Sequence, residues 1–267
     1  MSIYAVNGKE PVAAWIESLD PEAVTSSKAT DLIGTNHGTL TNMDLTADPD
    51  TARRPDTDAG GVRALILDGS NDEVIVGDVS LFDIGTSSFS ISAWIKTSSS
   101  KTVQAIFAKQ DSSSFNGFFF GLVNGQLRLV NNWGASLGNV GTITSTGTVN
   151  NGAWRHVVGV MTGADRTNWR LYVDGSSVSF TEADSDLVGS GVNNAALLRI
   201  GSRDFPGNTF DGRMDDVRFW IEALTAPDAG YLWNSGNGRG IVASMGKKRP
   251  RINGSLINSG LCRSSAS

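Results

Sequence analysis

The stretch Asp211-Gly212-Arg213-Met214-Asp215-Asp216-Val217-Arg218-Phe219-Trp220 decides how this chain is read. As a strand it places Met214, Asp216, Arg218 and Trp220 on one face and Arg213, Asp215, Val217 and Phe219 on the other. The adjacent carboxylates of Asp215 and Asp216 are then expected to point opposite ways. One of them turns inward or into a rim, where a cation or several donors must meet it. A second acid beside an apolar strand occurs at Leu65-Ile66-Leu67-Asp68-Gly69-Ser70-Asn71-Asp72. The two segments are expected to meet, with a sandwich built between them.

Composition supports that reading. A chain of 267 residues buries a core without crosslinks, and its lone Cys262 has no internal disulfide partner. Glycine numbers 31, and Ser, Thr, Asn and Asp crowd the intervals between apolar runs, which favours many short strands joined by turns. A net charge of −5 argues against non-specific binding to nucleic acid or to an anionic membrane. Basic residues collect late, at Lys247, Lys248, Arg249, Arg251 and Arg263. The run Gly246–Arg251 reads either as a solvated extension docked on an acidic neighbour or as a regulatory or nucleic-acid-binding segment. No segment reaches transmembrane length, and Met1 to Asp20 lacks the basic start and apolar core of a secretory leader.

Three parts are expected: an arm over 1–11, one β domain over 12–235, and a basic Gly/Ser/Asn-rich extension over 236–267. Between Asp20 and Gly61 apolar periodicity fades, and Leu32, Ile33, Leu40 and Met43 are expected to anchor the passage. Strands are expected over 12–15, 62–67, 73–76, 89–95, 103–108, 117–123, 126–130, 154–161, 169–173, 177–180, 196–201 and 210–220. Asn124-Gly125 and Asp174-Gly175 carry turn chemistry. The alternation in Ser88–Ile95 puts Phe89, Ile91 and Ala93 on one face. The expected core includes Phe89, Ile91, Val158, Val160, Leu171 and Val173. Thr225 to Trp233 is the one helix, with Thr225 as N-cap, Pro227 in the first turn and Asp228 at the positive end. The fold class is an all-β sandwich of two antiparallel sheets with one short C-terminal helix.

A set of motifs then carries a resemblance. In order they are Val12-Ala13-Ala14-Trp15, Asn36-His37-Gly38-Thr39-Leu40, Ala64 to Val74, Ser88 to Lys96, Trp154-Arg155-His156-Val157, Leu171-Tyr172-Val173-Asp174-Gly175, Leu198-Arg199-Ile200-Gly201 and Phe210 to Arg218. The chain resembles the concanavalin A-like lectin/glucanase superfamily, in particular the laminin-G-like, pentraxin-related jellyroll modules of bacterial or phage type. The resemblance implies a jellyroll and often a rim calcium ion (Ca2+). Carried over residue by residue, it implies Asp68 and Asp215 as ligands, Gly69 as a backbone oxygen, and Asp72 or Asp216 as substitutes. A hard cation wants carboxylates and carbonyls gathered from separate segments. The alternative is turn chemistry, with the same acids accepting hydrogen bonds from backbone or Arg. Glu73 departs from the pattern, which commonly has an apolar residue there.

Sugar hydrolases in the same superfamily use paired carboxyl groups. The acidic run Glu182-Ala183-Asp184-Ser185-Asp186 has small residues between its acids and reads as a solvated loop, so no catalytic residue is expected. His156 sits within a strand as a packed residue, and His37 is expected to pin the polar passage; neither has a companion at metal spacing. Of seven Trp, Trp15, Trp94, Trp154 and Trp220 have core settings, whereas Trp133 and Trp169 are less obviously internal. Trp133, beside Asn131 and Asn132, is suited to stacking on a sugar ring while the amides bond its hydroxyls; the competing reading folds it back over the sandwich end. Phe205 is a second aromatic of this kind. These features point to a non-enzymatic, carbohydrate-directed, calcium-stabilised adhesion module. It would act on a glycan or surface polysaccharide, outside the cell or on a particle surface, without nucleic acid or membrane insertion. The alternative is a structural or decoration subunit of a virion-like assembly. There Ile3, Tyr4, Val6, Ile241, Val242, Leu256, Ile257 and Leu261 would pack across subunits of a homo-oligomer or onto protein partners.

Overall fold

The computed structural model describes residues 5–15, 28–43, 64–132, 140–184 and 194–238. Strands β1 (Ala13–Trp15), β2 (Lys28–Ala29), β3 (Gly38–Thr41), β4 (Leu65–Asp68), β5 (Glu73–Gly77), β6 (Phe89–Lys96), β7 (Val103–Gln110) and β8 (Gly117–Val123) come first. Then follow β9 (Gln126–Asn132), β10 (Val140–Thr148), β11 (Trp154–Met161), β12 (Arg170–Val173), β13 (Ser176–Ser177), β14 (Phe180–Asp184), β15 (Leu198–Ile200), β16 (Asp211–Trp220) and the helix α1 (Ala226–Trp233). A seven-stranded sheet runs β1-β16-β6-β11-β12-β13, with β4 also on β16; a nine-stranded sheet runs β14-β10-β9-β8-β7-β15-β5-β3-β2. Every pairing is antiparallel, so the described residues form the expected all-β sandwich with one short helix.

The core is aromatic. Phe219 of β16 stacks on Phe89 of β6 at 5.7 Å, on Phe107 of β7 at 5.6 Å and on Phe118 of β8 at 6.1 Å, and meets Phe82 edge-on at 5.1 Å. Rings from both sheets therefore converge on one side chain. Phe89, Ile91 and Ala93 all enter this core, as their alternation requires. Trp169, expected to be less internal, is fully buried; Gly141 leaves room for its ring, since a Cβ there would lie 2.6 Å from it. Trp154 is only half-buried.

Val158 and Val160 do not join that core. They face away from it and pack with Val6, Tyr172, Trp220, Leu224, Ala229 and Leu232, under α1 and the N-terminal arm. The reason is that α1 covers the outer face of the seven-stranded sheet, so β11 is apolar on both sides and its alternation is masked. Val6 thus packs within its own subunit, not across a subunit boundary. Asn7 and Lys9 fix the arm by donating to the two Asp228 carboxylate oxygens at 2.6 and 2.9 Å. Asp228 also accepts from the Thr225 N–H and Oγ–H, both at 2.8 Å, which closes the expected start of the helix. Burial would raise the Asp228 carboxyl, but the hydrogen bonds from Lys9, the Thr225 amide and Asn7 outweigh it and hold it below its ordinary value.

Two further expectations are corrected. Residues 180–184 are not a solvated loop but edge strand β14, paired to β10; an edge strand tolerates its polar sequence. Of the anchors expected for the polar passage, Leu40 enters the core and Met43 packs against it, but Leu32 is exposed, and the buried Asp31 adds a polar anchor, accepting from the amides of Ala14, Ile33 and Asn36 at 3.1 Å each. His37 does pin it, accepting the Asp31 N–H at 3.1 Å.

Phe219→Ala is expected to cost about 3–5 kcal/mol of unfolding free energy, read by urea denaturation; a loss below about 1 kcal/mol would contradict a core centred on that ring. The Asp228 contribution has the sign of a depressed carboxyl. It is complete above its unfolded value near pH 4 and fades as pH falls through the lower folded value. Asp228→Asn should therefore destabilise at pH 7 and narrow its deficit in acid, and a deficit that stays constant from pH 7 to 2 would refute this account.

Candidate functional site

Three corners carry the chain between the sheets at one rim: residues 69–72 from β4 to β5, residues 97–102 from β6 to β7, and residues 201–210 from β15 to β16. The Thr97 hydroxyl donates to Asp211 O at 2.6 Å, and the Gln104 side-chain oxygen accepts the Asp211 N–H at 3.0 Å. The Thr209 hydroxyl donates to Gly69 O at 2.5 Å. The Lys101 ammonium donates to the same Gly69 O and to Thr209 Oγ1. A single tethered cation therefore bonds two of the corners from the third.

The acids of the expected ion site fall in two places. Asp68 lies opposite Asp211 in the β4–β16 register, whereas Asp215 lies opposite Trp94 of β6. Four residues of extended strand separate Asp211 from Asp215, about 13 Å. Asp68 is exposed, and its Oδ1 accepts the Ser70 N–H at 2.7 Å, a bond that holds its carboxyl below the ordinary value. The Asp72 carboxylate accepts the Asp68 N–H at 2.9 Å.

At the other acid pair the strand does not simply alternate. From Asp215 to Arg218, β16 advances three residues while β6 advances two, from Trp94 to Ser92. Asp216 takes up the extra residue with φ of +50°, a bulge conformation that Asp tolerates better than most side chains. Asp215 and Arg218 thus stand opposite Trp94 and Ser92, which share one face of β6, and Arg218 bonds Asp216, so both carboxylates lie on that face and are buried there, contrary to the opposite-face expectation. Arg218 supplies the cation for Asp216, with Nε and Nη2 donating to its two oxygens at 2.5 and 2.9 Å. Asp215 Oδ1 accepts the Asp216 N–H at 2.8 Å.

This arrangement does not fit a calcium ion shared by Asp68, Gly69, Asp72, Asp215 and Asp216. The strand register separates the two halves, Lys101 sits on the Gly69 oxygen, and Arg218 takes both Asp216 oxygens. Among the described residues, no group of three or more His, Cys, Asp or Glu is placed to hold a metal ion.

The expected sugar-contacting residues gather better. Asn131 and Asn132 end β9 opposite Phe118 and Gly117, and Gly117 pairs with Gln110, so they lie at the end of the sheet closed by the β7–β8 turn. Asn131 donates to Gly85 O at 3.2 Å, and Asn132 Oδ1 is buried with no hydrogen-bond partner among the described residues. Both line a small, half-open hollow of about 20 Å³ with Asp83, Lys109, Phe118 and Asn194, room for little more than a water molecule and far smaller than a usual ligand pocket. Trp133 lies outside the described residues.

At the same end, Phe205 stands 5.0 Å from Phe115, which is 47% exposed. The Arg203 guanidinium is layered between Phe205 at 4.3 Å and Phe119 at 4.7 Å, and it donates to Gln110 Oε1 at 3.1 Å and Asn208 Oδ1 at 3.3 Å. Burial pushes that guanidinium down to about 10, with Arg128 adding to the effect, and it remains a cation at neutral pH. Phe115 was not among the sequence candidates. Its signal is an aromatic inside Asp111-Ser112-Ser113-Ser114-Phe115-Asn116-Gly117, between two strands. Asp111 Oδ1 accepts the amides of Ser113 and Ser114 at 2.7 and 2.9 Å, and the Phe115 N–H returns to Asp111 O at 2.9 Å. The turn thereby holds Phe115 at φ of +58°, a costly conformation for a large side chain. Glu73, the departure from the expected pattern, pairs with Arg199 at 2.5 Å and accepts from the Ser202 hydroxyl.

The Laminin_G_3 family, described as the concanavalin A-like lectin/glucanases superfamily, matches residues 68–229. No curated protein sequence matches the chain. Among solved structures, the binding domain of Paraclostridial Mosquitocidal Protein 1 is 17% identical with a TM-score of 0.60, over 86% of this chain and 53% of that one. The binding domain of botulinum neurotoxin DC in complex with SialylT is 14% identical with a TM-score of 0.57, over 88% and 52%. A Trypanosoma rangeli sialidase in complex with sialic acid is 14% identical with a TM-score of 0.59, over 89% and 34%. The chain thus spans about half of the two binding domains and about a third of the sialidase. At these identities the likeness is one of fold.

If Lys101 takes an ion's place at the rim, calcium added to chelator-stripped protein is expected to leave the thermal midpoint unchanged, whereas Lys101→Met lowers it. A calcium-dependent rise that Asp68→Asn abolishes would restore the ion and displace the lysine.

Proposed function

The chain belongs to the concanavalin A-like lectin/glucanases superfamily, and from that premise we propose that it is a non-enzymatic binding module directed at carbohydrate through the rim at the β7–β8 turn. The observation that carries this reading is the Phe115–Phe205 pair, an exposed ring against a second ring that Arg203 holds in place. A sugar presents an apolar ring face edged by hydroxyls, which suits an aromatic platform flanked by amides. Asp204, which accepts from the Ser112 hydroxyl at 2.9 Å, and the amide of Gln110 supply polar groups beside the rings. Two of the structures with this fold are recorded with SialylT or sialic acid bound, which makes glycans the first ligands to try here.

The acidic run supports a non-catalytic reading. Glu182 stands on the edge strand β14 with Arg166 at 3.6 Å, and Asp186 lies outside the described residues. A module of this sort acts at an exterior surface, where weak single-site binding gains strength from repeated display. The alternative of a structural subunit in a particle draws less support, because Val6 of the arm is buried in its own subunit. The basic run after Gly246 lies outside the described residues.

A glycan array probed with the full chain, followed by titration of the best hit, tests this. Phe115→Ala and Phe205→Ala are each expected to weaken binding about tenfold or more, roughly 1.4 kcal/mol, without lowering the thermal midpoint by more than a few degrees. Binding that both variants retain in full would move the site elsewhere, and an array without any signal would count against a carbohydrate ligand.

A further inference from the structure

One side-chain cluster beneath the hollow has no part in the proposed binding. Lys109, at the end of β7 and 1% exposed, is buried on the core side beside Phe82 and Phe118. Its Nζ lies 2.9 Å from the Asn194 side-chain oxygen, 2.6 Å from Asn194 O, 2.9 Å from Asp83 Oδ1 and 3.0 Å from Asp78 Oδ1. Asp83 is nearly buried, whereas Asp78 is open to water. The Asn194 amide is itself clamped: its Nδ2 donates to Asn116 O at 2.8 Å and to Lys109 O at 3.3 Å, and its Oδ1 accepts the Ala196 N–H at 3.2 Å. Gly117, at φ of +114°, makes the approach feasible, because a Cβ there would lie 1.9 Å from Lys109 O and 2.4 Å from Asn194 Nδ2.

We propose that Lys109 and Asn194 condense spontaneously into an intramolecular isopeptide bond, with Asp83 as the proton carrier. An amine held against a carboxamide in a largely water-excluded site has the proximity that such an attack needs, and a buried ammonium is costly to keep. The Lys109 ammonium passes one proton to Asp83, and the freed amine attacks Cγ of Asn194. The negative charge that develops on Oδ1 meets the Ala196 N–H already in place. A second Nζ proton is relayed through Asp83 to Nδ2, the Cγ–Nδ2 bond breaks, and ammonia leaves. Asp83 keeps the first proton, so charge and atoms balance, and no oxidant or cofactor enters. The adjoining polar hollow, with the buried Asn132 Oδ1 an acceptor that has no partner among the described residues, gives the ammonia a way out. The new bond joins β7 to the segment leading into β15, positions 85 residues apart, in a chain whose single Cys forbids an internal disulfide.

Intact-mass spectrometry of the purified, denatured full chain decides the matter without a variant: the mass is expected to fall below the sequence value by about 17 Da, one ammonia. Peptide mapping should then find a branched peptide linking Lys109 to Asn194 and no tryptic cleavage after Lys109. Lys109→Arg and Asn194→Ala should show their full sequence masses. Asp83→Asn, nearly isosteric, should remain uncondensed for days with a native circular dichroism spectrum. A wild-type mass equal to the sequence value overturns the proposal. So does a loss of ammonia that maps to a succinimide at another asparagine. Condensation of Asp83→Asn at the wild-type rate would remove Asp83 from the chemistry. None of these readings depends on whether a glycan binds.

Discussion

The sandwich depends on the position of one ring. Phe219 meets phenylalanines from β6, β7 and β8 and from the 3-10 turn at Ser80–Phe82, so both sheets close on β16. Antiparallel alternation makes such a position unforgiving, because a slip of one residue would turn Phe219 and Val217 outward and bring Arg218 into the core. The bulge at Asp216 is where β16 absorbs the mismatch between its two halves. Met214 and Phe219 both face inward although five positions separate them, which an uninterrupted strand would not allow. The Asp216–Arg218 pair then occupies the outer face on the far side of the bulge, and its hydrogen bonds hold the irregular residue in place.

The chain meets its concentrated oxygen acceptors with its own cations. Lys101 bonds corners between the sheets, and Arg218 satisfies a buried carboxylate. A calcium ion asks for six to eight oxygens in its shell, whereas an ammonium is content with three acceptors and arrives already tethered. The tether matters physically. An internal cation cannot be diluted away, so rim cohesion fixed by Lys101 does not vary with the medium, while a metal-braced rim would.

What could be read from the residues alone followed how cleanly they alternate. β6 was legible because Ser and apolar side chains take turns, and α1 because Thr225, Pro227 and Asp228 form a start signal whose chemistry is local. β10 was missed: in Val140–Thr148 only Ile143 is a buried large apolar residue, and Thr, a good strand former, looks like loop composition. β11 misled for the opposite reason, since α1 buries its outer face and erases the contrast between Val157 and Val158. The opposed faces assigned to Asp215 and Asp216 failed on a single residue of bulge, which no periodicity announces. The partition of Asp68 from Asp215 was equally invisible, because it is a matter of register between strands distant in sequence.

The rim at the β7–β8 turn shows how a loop composition turns into a site. A run of serines reads as solvated linker, yet Asp111 gathers their amides and leaves Phe115 as an aromatic side chain the turn holds exposed. Its positive φ stores strain that the Asp111 and Gln110 hydrogen bonds offset, and the ring is thereby set before any partner arrives. The same holds for Phe205, whose neighbour Arg203 is pinned by two amide oxygens and a second ring. Groups already fixed lose little entropy on contact, so a shallow surface of two rings can bind a ligand that offers few hydrogen bonds. A covalent tie between Lys109 and Asn194, directly beneath, would stiffen the base of this platform from the core side. The strained turn and the buried cluster thus act on the same strand end from opposite faces.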